Sequence, residues 1–94
     1  MTTVTLLIFS GRPDPTWELA AEEVMELIPK LRNVASAEEL SILGYRGFLV
    51  LSDEPGMPSK VIVRGEPELE RFLLRTGRRN LSPEIVGVVE QAIK

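Results

Sequence analysis

The chain of 94 residues is 44% hydrophobic and 27% charged, and its formal net charge is −3 at pH 7. This length fits one domain with a single core, residues 1–94, and the negative charge argues against a general affinity for nucleic acid. The sequence contains no Cys and no His, which excludes disulfide bridges, zinc sites built on these residues and Cys- or His-based catalysis. An all-carboxylate site for a hard cation stays open, but no metal site and no cofactor are predicted.

The first predicted element is a strand over residues 3–9, in which both faces carry apolar side chains. Its apolar run is too short to span a bilayer and lacks the features of a signal peptide, so we expect a cytoplasmic protein without membrane contact. Asp14 and Pro15 then predict the N-cap and the first position of a helix. Apolar residues at three- and four-residue spacing follow, led by Trp17, and Pro29 is expected to end or kink this helix.

The middle of the chain predicts a β-hairpin. Residues 36–39 have capping-box spacing and predict a single helical turn before it. The next strand is predicted over residues 43–52, where Gly44 and Gly47 permit a bulge or a close backbone approach. A turn rich in proline and glycine leads to a short third strand over residues 60–64, antiparallel to the second.

Two helices complete the predicted chain. The first opens at residues 66–68 and ends at Gly77, and the second begins with Ser82 as its N-cap and Pro83 at its first position. The predicted buried face of the second helix consists of Ile85, Val88, Val89 and Ala92. Because further apolar side chains remain on this helix, the sequence also points to a homodimer through residues 82–94.

The predicted order of elements is β-α-β-β-α-α, which defines a small α+β (α/β) domain. A right-handed crossover would make the first two strands parallel, so the expected sheet has three strands and is mixed. The third strand would lie either outside the second or between the first two, and the sequence leaves both orders open. The helices are expected to pack mainly on one face of the sheet.

A sequence motif spans the end of the first strand and the residues that follow it. The chain reads FSGRPDPTWEL from residue 9 and LGYRGF from residue 43. These segments resemble a group of small uncharacterised proteins that carry FSGRPNPxW near the N-terminus and an LGYRGF-like segment in mid-chain. The resemblance extends over most of this chain and implies no activity. The chain differs from the group at Asp14, where the group has Asn; both cap helices, and Asp adds a charge that could pair with Arg12 or Arg46.

The main candidate site is the loop after the first strand, residues 10–17. As a binding site, this loop would present Arg12 to a carboxylate or phosphate at the edge of the sheet, where a helix N-terminus points outward. As a connector, the loop would use its prolines and glycine only to fix the direction of the chain, with Asp14 as a helix cap and Trp17 in the core. The predicted set of partner- or ligand-binding residues is Ser10, Arg12, Asp14, Trp17, Tyr45 and Arg46.

Tyr45 and Arg46 lie between two glycines, and three interpretations of them stay open. Both side chains would line the same pocket as the loop, or Tyr45 would fill the core with its hydroxyl at the surface. In the third interpretation, Arg46 forms an ion pair with Asp14 that locks the loop in place.

The function predicted from these residues is a non-catalytic binding or accessory module for a protein or a small anionic ligand, and no catalytic residue is assigned. Two alternatives remain open. A small enzyme would use Asp14 and Glu18, one helical turn apart, as acid–base groups on an anionic substrate. A weak nucleic-acid binder would use a cluster of four arginines, of which the first two and one of the last two fall close to one helix face, although the same residues also compensate the helix dipole. These arginines are Arg71, Arg75, Arg78 and Arg79.

Overall fold

Four strands and three α-helices are present in a computed structural model of the chain, which describes residues 1–93. The strands are Thr2–Leu6 (β1), Thr16–Glu18 (β2), Phe48–Ser52 (β3) and Lys60–Val63 (β4). The helices are Ala21–Lys30 (α1), Pro67–Thr76 (α2) and Pro83–Ala92 (α3), and a 3-10 turn spans Arg78–Asn80. Within the described residues, no helix combines the length and the apolar character that crossing a membrane requires.

The strands form one antiparallel sheet in the order β2-β1-β3-β4. The small α+β domain expected from the sequence is therefore confirmed, but the three-stranded mixed sheet is wrong. β1 and β3 are antiparallel neighbours, with Val4 opposite Val50, so no parallel crossover connects them. The predicted pairing of β3 with β4 is confirmed, with Val50 opposite Val61.

The main error in the prediction concerns residues 14–18, which form no helix. The carbonyl oxygen of Pro15 accepts a hydrogen bond from the Leu6 N–H at 2.9 Å, so the chain folds back along β1 directly after the motif. Trp17 becomes the middle residue of β2, and α1 starts only at Ala21. The Asp-Pro pair that predicted a helix start belongs to the loop between β1 and β2.

One hydrophobic cluster joins a single face of the sheet to all three helices. On β1, the side chains of Val4 and Leu6 are fully buried, whereas Thr3 and Thr5 on the opposite face are half-buried. Trp17 enters the same core from β2. This alternation follows from the pleat of a strand, which sends successive side chains to opposite faces of the sheet.

The third helix buries only part of its predicted face: Val89 is buried and Ile85 packs against the core, as predicted. The residues that face the core are Val86, Val89 and Ile93. Val88 is 56% exposed and Ala92 is also exposed, so their prediction as core residues is wrong. The helix carries two overlapping apolar stripes, and packing against α2 in the shared core selects one of them. A homodimer through residues 82–94 stays a prediction, with Lys94 outside the described residues.

Residues 36–39 do not form the predicted helical turn. The segment instead runs along the outer edge of β4 and pairs with it. The Ile62 N–H donates to Ser36 Oγ at 2.9 Å, and the Ala37 N–H donates to the Ile62 carbonyl oxygen at 2.8 Å. These bonds occupy the outward-pointing backbone groups of Ile62, so the outer edge of β4 is paired at this position.

The LGYRGF segment forms a bulge before β3, so the predicted strand over residues 43–52 starts only at Phe48. The Leu7 N–H donates to the Gly47 carbonyl oxygen at 3.0 Å, and the Arg46 N–H donates to the Leu7 carbonyl oxygen at 2.8 Å. Two residues of one strand therefore oppose one residue of the other, as in a β-bulge. Gly47 has a φ of 103°, and a Cβ atom there would overlap the Val63 carbonyl oxygen. The bulge and the close backbone approach predicted for this segment are confirmed.

Candidate functional site

The loop between β1 and β2, residues 7–15, is held together by the carboxylate of Asp14. Its Oδ1 accepts hydrogen bonds from the backbone N–H groups of Ile8, at 3.0 Å, and Phe9, at 2.7 Å. The side chain therefore caps a turn of its own loop instead of a helix N-terminus. An Asp or Asn side chain suits both tasks, because each requires only a short acceptor close to free N–H groups.

Arg46 braces the same loop from the bulge before β3. Its Nη2 donates to the Phe9 carbonyl oxygen at 2.7 Å and lies 3.6 Å from Asp14 Oδ2. The side chains of Arg46 and Asp14 are only 17% and 19% exposed. No residue in 1–93 bonds to the buried Nε of Arg46. Of the three interpretations of Arg46, the geometry matches the ion pair that locks the loop.

Arg12 has the opposite environment, although it belongs to the same motif. Its side chain is exposed, and its guanidinium carbon lies 3.7 Å from the centroid of the Phe9 ring. No carboxylate of residues 1–93 forms an ion pair with it. Ser10, Gly11 and Pro13 are also exposed, so the tip of the loop presents a stacked and unneutralised guanidinium to solvent.

Trp17 lies in the core below the loop and is 5% exposed. Its Nε1 donates to Thr76 Oγ1 at 2.9 Å, and the Thr76 hydroxyl donates to the Leu73 carbonyl oxygen at 2.6 Å. The indole ring rests against Gly77, where a Cβ atom would overlap its six-membered ring. The structure places Trp17 as the link between β2 and the end of α2, away from the surface of the loop.

Tyr45 reaches away from the loop, toward α2. Its hydroxyl donates to Glu70 Oε1 at 2.5 Å, and Glu70 Oε2 accepts the Glu66 N–H at 2.8 Å. The tyrosine ring meets the Phe48 ring edge-on, with centroids 5.8 Å apart. Burial, followed in size by the hydrogen bond to Glu70, raises the pKa of Tyr45 far above its ordinary value. Tyr45, Glu70 and Arg64 line a surface cleft of about 480 Å³.

The six predicted site residues therefore separate into three groups. Ser10 and Arg12 form the exposed tip of the loop, and Asp14 and Arg46 brace it from below. Trp17 and Tyr45 contact α2 and do not reach the tip. Sequence reasoning missed two contributors. The signal for Phe9 is its position as the first residue of the motif. For Glu70 the signal is an apolar residue, Leu74, four positions later on the same helix face, and the structure buries both.

The geometry proposed for the two alternative functions is wrong in detail. Asp14 and Glu18 are not one helical turn apart, because they lie in a loop and in a strand. Arg71 and Arg75 lie on α2, but Arg78 and Arg79 belong to the following 3-10 turn and share no helix face with them. Among the described residues, no group of three or more carboxylates is close enough to hold a metal ion.

Comparison with known proteins yields no match. No family model matches the chain, and neither a curated protein nor a solved structure matches it significantly. The resemblance to the FSGRPNPxW group stays a prediction.

Proposed function

We propose that the protein is a non-catalytic binding module whose contact surface is the tip of the loop between β1 and β2. The observation that carries this proposal is the Arg12 guanidinium, which stacks on Phe9 in solvent and forms no ion pair with any carboxylate of residues 1–93. A cation displayed in this way suits a carboxylate of a partner protein, because the planar guanidinium forms two parallel hydrogen bonds to that group.

The bracing beneath the tip supports this assignment. Asp14 fixes the backbone of Phe9 from one side, and Arg46 bonds to its carbonyl oxygen from the other. The ring of Phe9 in turn restricts the guanidinium of Arg12. An arginine restricted before binding loses less side-chain entropy when a partner arrives, and this preorganisation increases affinity.

A protein surface is a better partner for this tip than a small anion. Residues 10–13 are four consecutive exposed residues, so the guanidinium lies on a convex tip instead of at the bottom of an enclosing pocket. Small ligands are generally bound in concave sites that bury most of their surface. Ser10 would add a hydroxyl at the rim of the contact, while Asp14, Trp17, Tyr45 and Arg46 would act by holding the tip in place.

The test compares Arg12→Glu with Arg32→Glu, because Arg32 is also exposed and forms no ion pair within residues 1–93. Wild-type protein and both variants are immobilised and exposed to an extract of the cells that produce the protein, and retained proteins are quantified by mass spectrometry. We expect one partner that the wild type and Arg32→Glu retain and Arg12→Glu loses, with unchanged melting temperatures. The purified partner should bind Arg12→Ala at least about tenfold more weakly than wild type. Equal retention by all three proteins would reject the proposed surface.

A further inference from the structure

The face of the sheet opposite the helices, called here the open face, carries leucines where a solvated sheet face normally carries polar residues. Phe48 and Val50 of β3 are fully buried in the core, so Leu49 and Leu51 lie on the open face. Within residues 1–93, the hydrophobic cluster includes neither leucine, and Leu51 is 42% exposed. A strand with one solvated face alternates apolar and polar residues, whereas a continuous apolar run indicates burial on both faces. The sequence of β3 therefore indicates a second covering layer.

The strand register arranges the residues of the open face in two rows that cross the sheet in the order β2, β1, β3, β4. The first row consists of Glu18, Thr3, Leu51 and Lys60. The second row consists of Thr16, Thr5, Leu49 and Ile62. The first row thus has a carboxylate at one edge of the sheet and an ammonium group at the other, and the strand positions between them are uncharged.

We propose that a second copy of the chain covers the open face, with the two sheets stacked about a two-fold axis parallel to the strands. Such an axis keeps every position along the strands and exchanges the two edges, so β2 of one copy lies over β4 of the other and β1 lies over β3. Each row then meets the same row in reverse order. Glu18 of each copy faces Lys60 of the other, across a distance between stacked sheets of about 10 Å that two long side chains can bridge.

The other two-fold arrangement of stacked sheets fits less well. An axis perpendicular to the strands would keep β2 over β2 and β4 over β4. The two Glu18 side chains would then lie at one edge of the dimer and the two Lys60 side chains at the opposite edge, and like charges oppose such an approach. The charges of the first row therefore select the axis parallel to the strands.

The charged groups at the ends of the open face are compatible with this axis. Asp53 follows β3 and pairs with the N-terminal ammonium group at the start of β1, so the axis places each of these two groups over its opposite. Glu54, the other partner of that ammonium group, lines a cleft beside α1 on the helix side. Arg64 follows β4 and donates to the Glu38 carbonyl oxygen at 2.8 Å, and the axis places it over the uncharged start of β2 at Thr16.

The β4 side of the open face also contacts residues of its own chain. Ile62 is 4% exposed although the core cluster does not include it, and Ser36 and Ala37 pair with its backbone. Glu39 lies 3.9 Å from Lys60, and both side chains are largely exposed. Ion pairs of this length and exposure are weak, so Lys60 can also bind Glu18 of the other copy.

The size of the open face predicts a weak dimer. Four strands about 4.8 Å apart and about five residues long give each copy a flat area of about 300 Å². A stable interface buries about 800 Å² of accessible surface per partner. We therefore expect a reversible dimer with a dissociation constant on the order of 100 μM. The dimer is independent of the function proposed for Arg12, because it uses the strands and not the loop tip.

Sedimentation equilibrium from micromolar to millimolar concentration measures this association. Leu51→Glu is compared with Val88→Glu, because both residues are exposed apolar side chains, one on the open face and one on α3. We expect Leu51→Glu to stay monomeric and Val88→Glu to associate as wild type does. A monomeric wild type, or equal association of wild type and Leu51→Glu, would overturn the proposal. Loss of association in Val88→Glu would place the dimer on α3 and would also overturn it.

The axis is tested by exchanging charges with Glu18→Lys and Lys60→Glu, which change only exposed side chains and do not depend on whether Leu51→Glu folds. Each variant alone places like charges opposite each other, so its dissociation constant should rise at least about fivefold. An equimolar mixture of the two variants should recover the association, because both cationic positions of one then face acidic positions of the other. Glu18 and Lys60 of one chain are three strand spacings apart, about 14 Å, so this recovery cannot arise within a copy. Unchanged association of the single variants, or no recovery in the mixture, would refute the axis.

Two further variants serve as controls. Glu39→Gln removes the carboxylate beside Lys60 in its own chain and should associate at least as strongly as wild type. Arg12→Glu should associate as wild type does, even where it loses the partner expected for the loop tip. Loss of association in Arg12→Glu would place the dimer contact on the loop and refute the open face as its site.

Discussion

The strongest quantitative prediction concerns Asp14. Replacing it with Ala removes the acceptor of the Ile8 and Phe9 N–H groups and leaves the mostly buried Arg46 with only the Phe9 carbonyl oxygen. A hydrogen bond to a charged group contributes about 1.5–3 kcal/mol, and these two share one oxygen atom, so their effects are not fully additive. We expect Asp14→Ala to lower the free energy of unfolding by about 3 kcal/mol, a large part of the total for a domain of this size.

Asp14→Asn provides a sharper comparison, because it changes the charge of the side chain and keeps its size and one acceptor oxygen. The Asn side chain keeps an oxygen acceptor for both N–H groups, but it replaces the charged Oδ2 that lies 3.6 Å from Arg46 with an amide NH2 group. We therefore expect Asn to cost about 1 kcal/mol, well below the cost of Ala. The ranking of the two variants separates the contribution of acceptor geometry from that of charge.

Urea unfolding followed by fluorescence measures both free energies, because Trp17 is the only Trp of the chain and is buried. The slope of the unfolding free energy against urea should be the same for all proteins, since the surface exposed on unfolding does not change. Glu26→Ala serves as the control, because Glu26 is exposed, lies outside the loop and forms no ion pair within residues 1–93. A loss below about 0.5 kcal/mol for Asp14→Ala, or equal losses for Ala and Asn, would refute this account of the loop.

Two further predictions concern the contacts with α2. Gly77→Ala should destabilise the protein by about 1–3 kcal/mol in the same urea assay, because the added methyl group overlaps the Trp17 ring; a neutral effect would show that the indole moves freely. Tyr45 is the only Tyr of the chain, and its raised pKa means that the folded protein keeps the phenol protonated where the unfolded chain ionises. This contribution is complete below the unfolded pKa of about 10 and is lost as pH rises above it. Melting temperature should therefore fall more steeply above about pH 10 for wild type than for Tyr45→Phe, and a tyrosinate absorbance that appears near that pH without unfolding would contradict the prediction.

The sequence predicted the second half of the fold better than the first, because its signals there are local. Pro67 and Pro83 occupy first helical turns, and Ser82 Oγ accepts the Ile85 N–H at 3.2 Å as an N-cap. Near the start of the chain, Asp14 and Pro15 carry an equally good helix-start signal. In the structure, Asp14 instead accepts hydrogen bonds from amides of its own loop and lies beside Arg46, which is far along the chain. No local sequence pattern indicates such a pairing.

The core face of α3 shows a second kind of limit. Apolar residues at several neighbouring positions of the helix allow two buried stripes, and helical periodicity alone does not rank them. Packing against α2 in the shared core makes the choice, burying Val89 fully and leaving Val88 exposed. β2 was missed for a related reason, since a three-residue strand is shorter than the window that reveals alternation.

Asp14 pairs with Arg46, which is distant in the sequence, and not with Arg12, which is close to it. Arg12 and Arg46 were equal candidates to pair with Asp14, and sequence distance favours Arg12. Asp14 Oδ1 is already occupied by the amides of Ile8 and Phe9, and its Oδ2 faces the bulge that carries Arg46. Because the bulge fixes Arg46 beside Asp14, the carboxylate is neutralised without Arg12, and Arg12 stacks on Phe9 instead. Shortening the bulge by deleting Gly47 should therefore remove the brace and the display of Arg12 together.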